Sequence, residues 1–185
     1  MNDELATLMN KARVLTDEVR RAFGTLTPEQ LNWKPAADAW SVAQCLEHLI
    51  ITNEKEFPAI EQTLREDYRN PFWSRPPLLP KLFGRLMINL FGPENARRYK
   101  APKSFRPSQS RIGETIVEDF AAHQAEFVRL FEQTARLDPE KTMVVSPVTD
   151  FITYSLLDCC RILVGHERRH FRQAVRVTQT AGFPR

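Results

Sequence analysis

Apolar residues recur at alternating steps of three and four in four long segments of this 185-residue chain. A helix turns once every 3.6 residues, so this spacing places apolar side chains along one helical face. The stripes run over 3–23, from Val42 to about Phe57, over 112–130, and from about Thr153 to Thr178. Four such helices bury their stripes against one another, which predicts an all-α four-helix bundle forming a single domain over residues 1–185.

Two capping patterns predict where helices begin. Thr27 and Gln30, with Pro28 between them, predict a single helical turn after the first long helix. Ser41 and Gln44 repeat the pattern and predict the start of the second long helix, which carries His48.

A proline-rich connection separates the second and third long helices, over about 69–109. It is long enough to cross the whole bundle, so those two helices are expected to be parallel. Within it, the run from Leu82 to Phe91 keeps helical spacing and predicts a short helix that covers the bundle or contacts another subunit. A membrane-surface anchor is less favoured, because the run is short and its polar side carries only Lys81 and Arg85.

Charge and cysteine content exclude several classes of protein. With 26 basic and 23 acidic residues the net charge is +3, too balanced to favour nucleic acid as a partner. Three cysteines without a CxxC pair favour reduced thiols over a disulfide framework or zinc ribbon. No segment has the roughly 20 apolar residues of a membrane span, and the acidic start does not look like a signal peptide, so we expect a cytoplasmic protein without a membrane partner.

His166 and His170 are the first candidate metal ligands. Their spacing of four puts both imidazoles on one helical face, within reach of one ion. Their stripe is otherwise apolar, and buried imidazoles need polar partners or a metal. An isolated pair of this kind is more often two core histidines bonded to carbonyls or carboxylates.

The segment HERRH at 166–170 also matches the zinc-protease pattern H-E-x-x-H, with Glu167 as the general base. Such proteases take a third ligand downstream, yet residues 171–185 contain no His, Asp or Glu. We therefore interpret the match as accidental. A third imidazole ligand has to come from upstream, where His48 and His123 both remain candidates.

Two longer motifs resemble those of a known family. Residues 31–35 read LNWKP and 39–49 read AWSVAQCLEHL, while 165–173 read GHERRHFRQ. Their order and separation resemble the signatures of the DinB-like, or YfiT-like, superfamily, and the resemblance runs through almost the whole chain. It implies an up-down-down-up four-helix bundle in which His48, His166 and His170 hold one metal ion.

The resemblance also implies chemistry and partners. Relatives use nickel, zinc or another first-row divalent ion such as iron, and many form homodimers. Where activities are assigned, they depend on low-molecular-weight thiols, as in bacillithiol S-transferases and a mycothiol-dependent maleylpyruvate isomerase. Three imidazoles leave a coordination position open, so a bound thiol or water would lose its proton more readily.

Other residues are weaker candidates for the site. His123 lies on the stripe of the third helix and can line the cavity or serve as a fourth ligand, although the family motif does not include it and a core histidine is the favoured interpretation. Gln173 can orient a ligand, and Glu167 can act as a base or as an acceptor from a ligand, although it turns about 100° from His166. Cys45 and Trp40 are expected to pack in the core.

The first functional hypothesis is a metal-dependent enzyme that transfers a small thiol to a small-molecule electrophile. The alternatives are a stress-associated, dimeric metal-binding bundle without turnover, and a metal-dependent hydrolase. No sequence feature identifies the ion, the thiol or the acceptor.

Overall fold

The computed structural model describes residues 2–74, 78–95 and 100–185. Over these residues the chain forms six α-helices and one β-hairpin. The helices are α1 (Asp3–Phe23), α2 (Pro28–Asn32), α3 (Val42–Thr63), α4 (Leu78–Phe91), α5 (Ile116–Gln133) and α6 (Leu156–Thr178), and the strands are β1 (Met143–Val145) and β2 (Thr153–Ser155). Single 3₁₀ turns occur at Phe72–Ser74, Lys103–Phe105 and Thr134–Arg136.

The four long helices, α1, α3, α5 and α6, form the bundle. Both α1 and α3 pack against α5 and α6. One apolar cluster joins the end of α1, the starts of α3 and α5 and the end of α6; the other joins the opposite ends. The direction is therefore up, down, down, up, with α3 and α5 parallel, as the long connection predicts.

Both predicted capping boxes are present. The Ser41 hydroxyl accepts from the Gln44 backbone N–H, and the Gln44 side chain accepts from the Ser41 N–H. Thr27 and Gln30 make the same exchange at α2. Each box satisfies backbone donors that the first helical turn leaves unpaired.

Two helix starts differ from the sequence-based boundaries. The third stripe begins at Ile112, but α5 begins at Ile116. The fourth helix was expected from about Thr153, whereas Thr153–Ser155 forms a strand paired antiparallel with Met143–Val145. The pair Val144 and Tyr154 is buried at the centre of this hairpin, and Ser155 then caps α6 by accepting from the Asp158 N–H.

The predicted short helix is α4, and it starts at Leu78. It lies across the bundle against α6 and β2. Its inner face comes very close to α6, because a Cβ on Gly84 would lie 2.4 Å from Asp158 Oδ2. Among the described helices, none is both long and apolar enough to cross a bilayer.

Candidate metal centre

The structure brings His48, His166 and His170 together inside the bundle. One ligand nitrogen from each lies within 4.8 Å of the other two, and all three side chains are buried. His48 projects from α3, while the other two lie one turn apart on the antiparallel helix α6. In the part of the chain that the structure describes, no other group of three or more potential ligands converges in this way. We call these residues the three-histidine cluster.

A backbone carbonyl orients His48. Its Nδ1–H donates to the carbonyl oxygen of Phe105 over 2.6 Å, which leaves the Nε2 lone pair free. Phe105 lies in the 3₁₀ turn of the crossover, and Ser108 fastens that segment to α3. The backbone N–H and hydroxyl of Ser108 donate to Glu47, and Gln44 Nε2 donates to the Ser108 carbonyl over 2.7 Å.

All three imidazoles are favoured in their neutral form. Burial lowers the pKa of His48 to about 4, and the hydrogen bond to Phe105 opposes that effect only in part. Burial also lowers the pKa of His166 and of His170 well below the usual value, and His48 and Arg169 lower both further. Neutral imidazole is the form that binds metal ions.

The unpaired nitrogens and their separation fit a divalent ion. His48 Nε2 and His166 Nε2 are 3.3 Å apart. Two nitrogens bound to one tetrahedral ion at about 2.1 Å lie roughly 3.4 Å apart. The Nδ1 atoms of His166 and His170 are buried without a hydrogen-bond partner in the described chain, so hydrogen bonds among the described residues satisfy only part of the polar groups of the cluster.

Aromatic rings enclose the cluster. The Trp40 ring stacks on His170 with centroids 5.6 Å apart and lies 4.7 Å from the His48 ring. From the other side, Phe91 at the end of α4 meets the edge of His166 at 5.7 Å. Apolar rings therefore flank all three imidazoles.

A polar network lies beside the cluster, on the neighbouring face of α6. Glu167 is fully buried and accepts hydrogen bonds from Asn53 Nδ2 at 2.7 Å and from Gln124 Nε2 at 3.1 Å. Burial raises the pKa of Glu167 to about 7, with both hydrogen bonds opposing the rise. One carboxyl group thus ties α3, α5 and α6 together next to His166.

Comparison with known proteins tests the resemblance. A family model described as the DinB superfamily matches residues 12–174, a span that includes all three histidines. The chain belongs to the DinB superfamily. The match confirms the resemblance drawn from the two sequence motifs.

A solved structure shares the fold of this DinB chain. YfiT from Bacillus subtilis, described as a probable metal-dependent hydrolase with an unusual four-helix bundle topology, matches with a TM-score of 0.61 and 14% sequence identity. The match covers 100% of the present chain and 91% of YfiT. A search of curated proteins found no match.

The other predicted site residues of the DinB chain take different positions. His123 stacks on Phe57 with centroids 5.0 Å apart and is outside the cluster of converging ligands. A side-chain hydrogen bond from Gln173 raises the pKa of His170, against the larger opposite effect of burial, and the orienting role of Gln173 stays a prediction. Cys45 is fully buried, and burial raises the pKa of its thiol to about 12, so it behaves as a core residue.

Three contacts of this DinB site were not anticipated from sequence. The Phe105 carbonyl has no sequence signal, since every residue carries one. Phe91 was assigned to the apolar run of the crossover, without a link to the histidines. Trp40 was expected only to pack the start of α3, although its place immediately before the capping serine, eight residues before His48, was the available signal.

Proposed function

We propose that this chain is a divalent-metal-dependent enzyme that transfers a low-molecular-weight thiol to a small electrophile. The observation that carries the proposal is the convergence of three buried imidazoles, each favoured in its neutral form, without a fourth ligand side chain among the described residues. Structural zinc sites are closed by four protein ligands, whereas catalytic sites use three and keep a position for water or substrate.

His48, His166 and His170 would hold the ion, with Phe105 fixing the tautomer of His48 through its carbonyl. When bound, the ion would lower the pKa of a thiol or water at the open position. The rings of Trp40 and Phe91 exclude bulk water from the cluster, which strengthens electrostatic interactions within it.

The environment of Glu167 favours a thiol over water as the nucleophile. Glu167 lies about 100° around α6 from His166, and Asn53 and Gln124 hold its carboxylate there, so among the described residues no carboxylate converges with the three imidazoles to serve as a general base. A thiol, with an ordinary pKa of about 8.5, needs little help beyond the ion to become a thiolate. Water, at about 15.7, starts much further from ionisation.

A metal-dependent hydrolase is the second candidate. The description of YfiT as a probable metal-dependent hydrolase supports it, together with the shared fold. The three-histidine cluster would serve that reaction as well, with water at the same open position.

The test uses purified protein loaded separately with zinc, nickel or iron(II). One assay offers a panel of small thiols with an electrophilic acceptor, and the other offers activated esters and amides without thiol. We expect metal-dependent S-alkylation that is lost in His48→Ala and retained in His123→Ala, the matched histidine outside the cluster. Hydrolysis without thiol transfer would replace the first candidate by the second. Metal binding without turnover in either assay would refute both in favour of a non-catalytic metal-binding bundle.

A further inference from the structure

The outward side of α4 exposes a row of leucines to solvent. The exposed fractions are 78% for Leu78, 47% for Leu79, 61% for Leu82 and 55% for Leu86. In the preceding 3₁₀ turn, Phe72 is 72% exposed and Trp73 is 39% exposed. Most of the large exposed hydrophobic side chains in the described chain therefore belong to residues 72–86. We call the four leucines with Lys81 and Arg85 the outer face of α4.

This face is available without any rearrangement of the helix. The opposite side of α4 is already packed, since Pro80 and Gly84 are buried and Met87 and Ile88 pack against the core. The leucines thus do not fill a gap in the bundle. Single exposed apolar residues are ordinary on protein surfaces, but a contiguous row of them marks a contact surface.

Basic side chains border the row. At 100° per residue, the four leucines span an arc of about 100°, and exposed Lys81 and Arg85 lie within about 60° of its edge. Residues 78–91 contain no Asp or Glu. Leucines flanked by lysine and arginine, with nearby Trp and Phe, are typical of helices that lie in the interface of a bilayer.

The charge of the whole crossover also favours contact with an anionic bilayer. Residues 69–109 contain nine Lys and Arg but only one acidic residue, Glu94, whereas the rest of the chain has 17 basic and 22 acidic residues. The small overall net charge of +3 conceals this segregation. Basic segments of this kind are attracted to anionic lipid surfaces.

The same charge argues against a second copy of the chain as the partner. A two-fold contact pairs a surface with itself, so Lys81 and Arg85 would approach their own copies along with the rest of a strongly basic crossover. Nucleic acid fits poorly too, because its contacts are polar and the outer face of α4 presents mainly leucine.

We propose that the outer face of α4 docks on the surface of an anionic phospholipid bilayer, with the leucines inserted among the acyl chains and Lys81 and Arg85 at the headgroups. This reverses the sequence-based expectation, which disfavours a membrane anchor because the helix is short and has only two cations on its polar side. The exposure of the leucines and the packing of the inner face favour the membrane instead. The inference is independent of the proposed enzyme activity.

The experiment is sedimentation of the full-length, metal-loaded protein with vesicles. One set contains phosphatidylcholine with roughly 30% phosphatidylglycerol, and the other contains phosphatidylcholine alone. We expect binding to the anionic vesicles that weakens in about 0.5 M salt. Two double variants test the face: Leu82→Glu with Leu86→Glu, and Lys81→Glu with Arg85→Glu. Each should reduce vesicle affinity at least about tenfold.

Matched controls lie on α1, on another side of the bundle. Val14→Glu places a charge at an apolar residue that is 41% exposed, and Lys11→Glu with Arg21→Glu changes the net charge as much as the basic double variant does. Both should bind vesicles like the parent. Equal losses in the α1 and α4 variants, or no binding by the parent, would refute the proposal. So would a parent dimer that the leucine variant converts to monomer without any vesicle binding, since the face would then belong to a second copy.

Discussion

At the scale of single residues, the three-histidine cluster has two kinds of sequence support. The spacing of His166 and His170 predicts a shared helical face, and α6 realises it. The assignment of His48 as a ligand rests on family resemblance, because no local sequence pattern relates it to His166, 118 positions away. The acceptor for His48 Nδ1 could not be predicted, since a backbone carbonyl is present in every residue and only the path of the crossover selects Phe105.

Replacing any member of the cluster is expected to abolish stoichiometric metal binding. His48→Ala, His166→Ala and His170→Ala each remove one of three ligands, and even residues that merely support a ligand cost 10–100-fold in affinity, so we expect losses of more than about 100-fold. Isothermal titration calorimetry and metal analysis of purified protein measure this. His123→Ala should bind metal with the affinity of the parent. Unchanged metal affinity in all three cluster variants would show that these histidines are not the metal ligands.

Buried Glu56 provides a test of pH dependence away from the cluster. It accepts a hydrogen bond from the Tyr154 hydroxyl and one from Cys159 Sγ at 3.4 Å. Burial raises its pKa from 4.5 to about 7, with both hydrogen bonds opposing the rise. The folded state therefore binds this proton more tightly than the unfolded state. Its contribution to stability is complete below about pH 4.5 and is lost as the pH rises through about 7.

Glu56→Gln keeps an acceptor for both donors and removes the titration. We expect its free energy of unfolding, relative to the parent, to increase from about pH 5 to pH 8 by on the order of 2 kcal/mol. Urea unfolding at several pH values measures the difference. Glu61→Gln removes a charge from the exposed side of the same helix and controls for net charge. A parallel pH response in parent and Glu56→Gln would contradict the assignment.

At the scale of elements, long amphipathic stripes were predictable and short irregular elements were not. The stripes locate α1, α3, α5 and α6, because each repeats its signal over several turns. The hairpin has only three residues in each strand, and Thr153 lies in register with the helical stripe that follows it, so the pattern extended α6 too far towards its start. Helix α4 of the crossover packs against β2 as well as α6, and helical spacing does not predict a contact with a strand.

The contact between α4 and α6 depends on the absence of a side chain at Gly84. An added Cβ would meet Asp158 Oδ2 at 2.4 Å and Cγ at 2.9 Å, so the aspartate must move or α4 must lift from the bundle. Asp158 also pairs with Arg161 at 2.6 Å, which limits its freedom. We expect Gly84→Ala to destabilise the fold by about 1 kcal/mol, after the gain in helix propensity is included.

A double-mutant cycle separates the clash from helix propensity. In an Asp158→Ala background, Gly84→Ala should cost at least about 1 kcal/mol less than in the parent, because the clashing carboxylate is gone. Gly165→Ala, which is also inside a helix but whose added Cβ makes only ordinary contacts with Pro93 and Gly92 at 3.6 Å or more, is the matched control. Denaturant unfolding measures the loss in free energy of unfolding that Gly84→Ala causes. An equal loss in the two backgrounds would show that the contact with Asp158 does not destabilise the variant.

At the scale of the whole molecule, connection length predicts the directions of the helices. It does not predict which crossover residues contact the three-histidine cluster. A connection of about forty residues allows α3 and α5 to run parallel, which sequence length alone indicates. The ring contact of Phe91 with His166 and the hydrogen bond of the Phe105 carbonyl with His48 depend instead on where the crossover packs against the bundle. Those meeting points are set by tertiary contacts such as Ser108 with Glu47.

Metal binding should stabilise the entire bundle, because the ligands come from α3 and α6. A ligand that binds only the folded state at 100 times its Kd adds about 2.7 kcal/mol, which for a chain of this size corresponds to a rise in Tm of roughly 5 to 10 °C. Differential scanning calorimetry with and without chelator measures the rise. His48→Ala should melt at the same temperature in both conditions, while a metal response as large as the parent's would place the ion elsewhere.

The separation of the ligands along the chain also has a consequence in time. His166 and His170 meet as soon as one turn of α6 forms, whereas His48 must close a loop of 118 positions, whose entropic cost grows with the logarithm of its length. During refolding in the presence of metal, we therefore expect binding by two imidazoles to need only α6, and binding by all three to need the packing of α3 against α6. Formation of the complete site would then report the assembly of the bundle and not the formation of one helix.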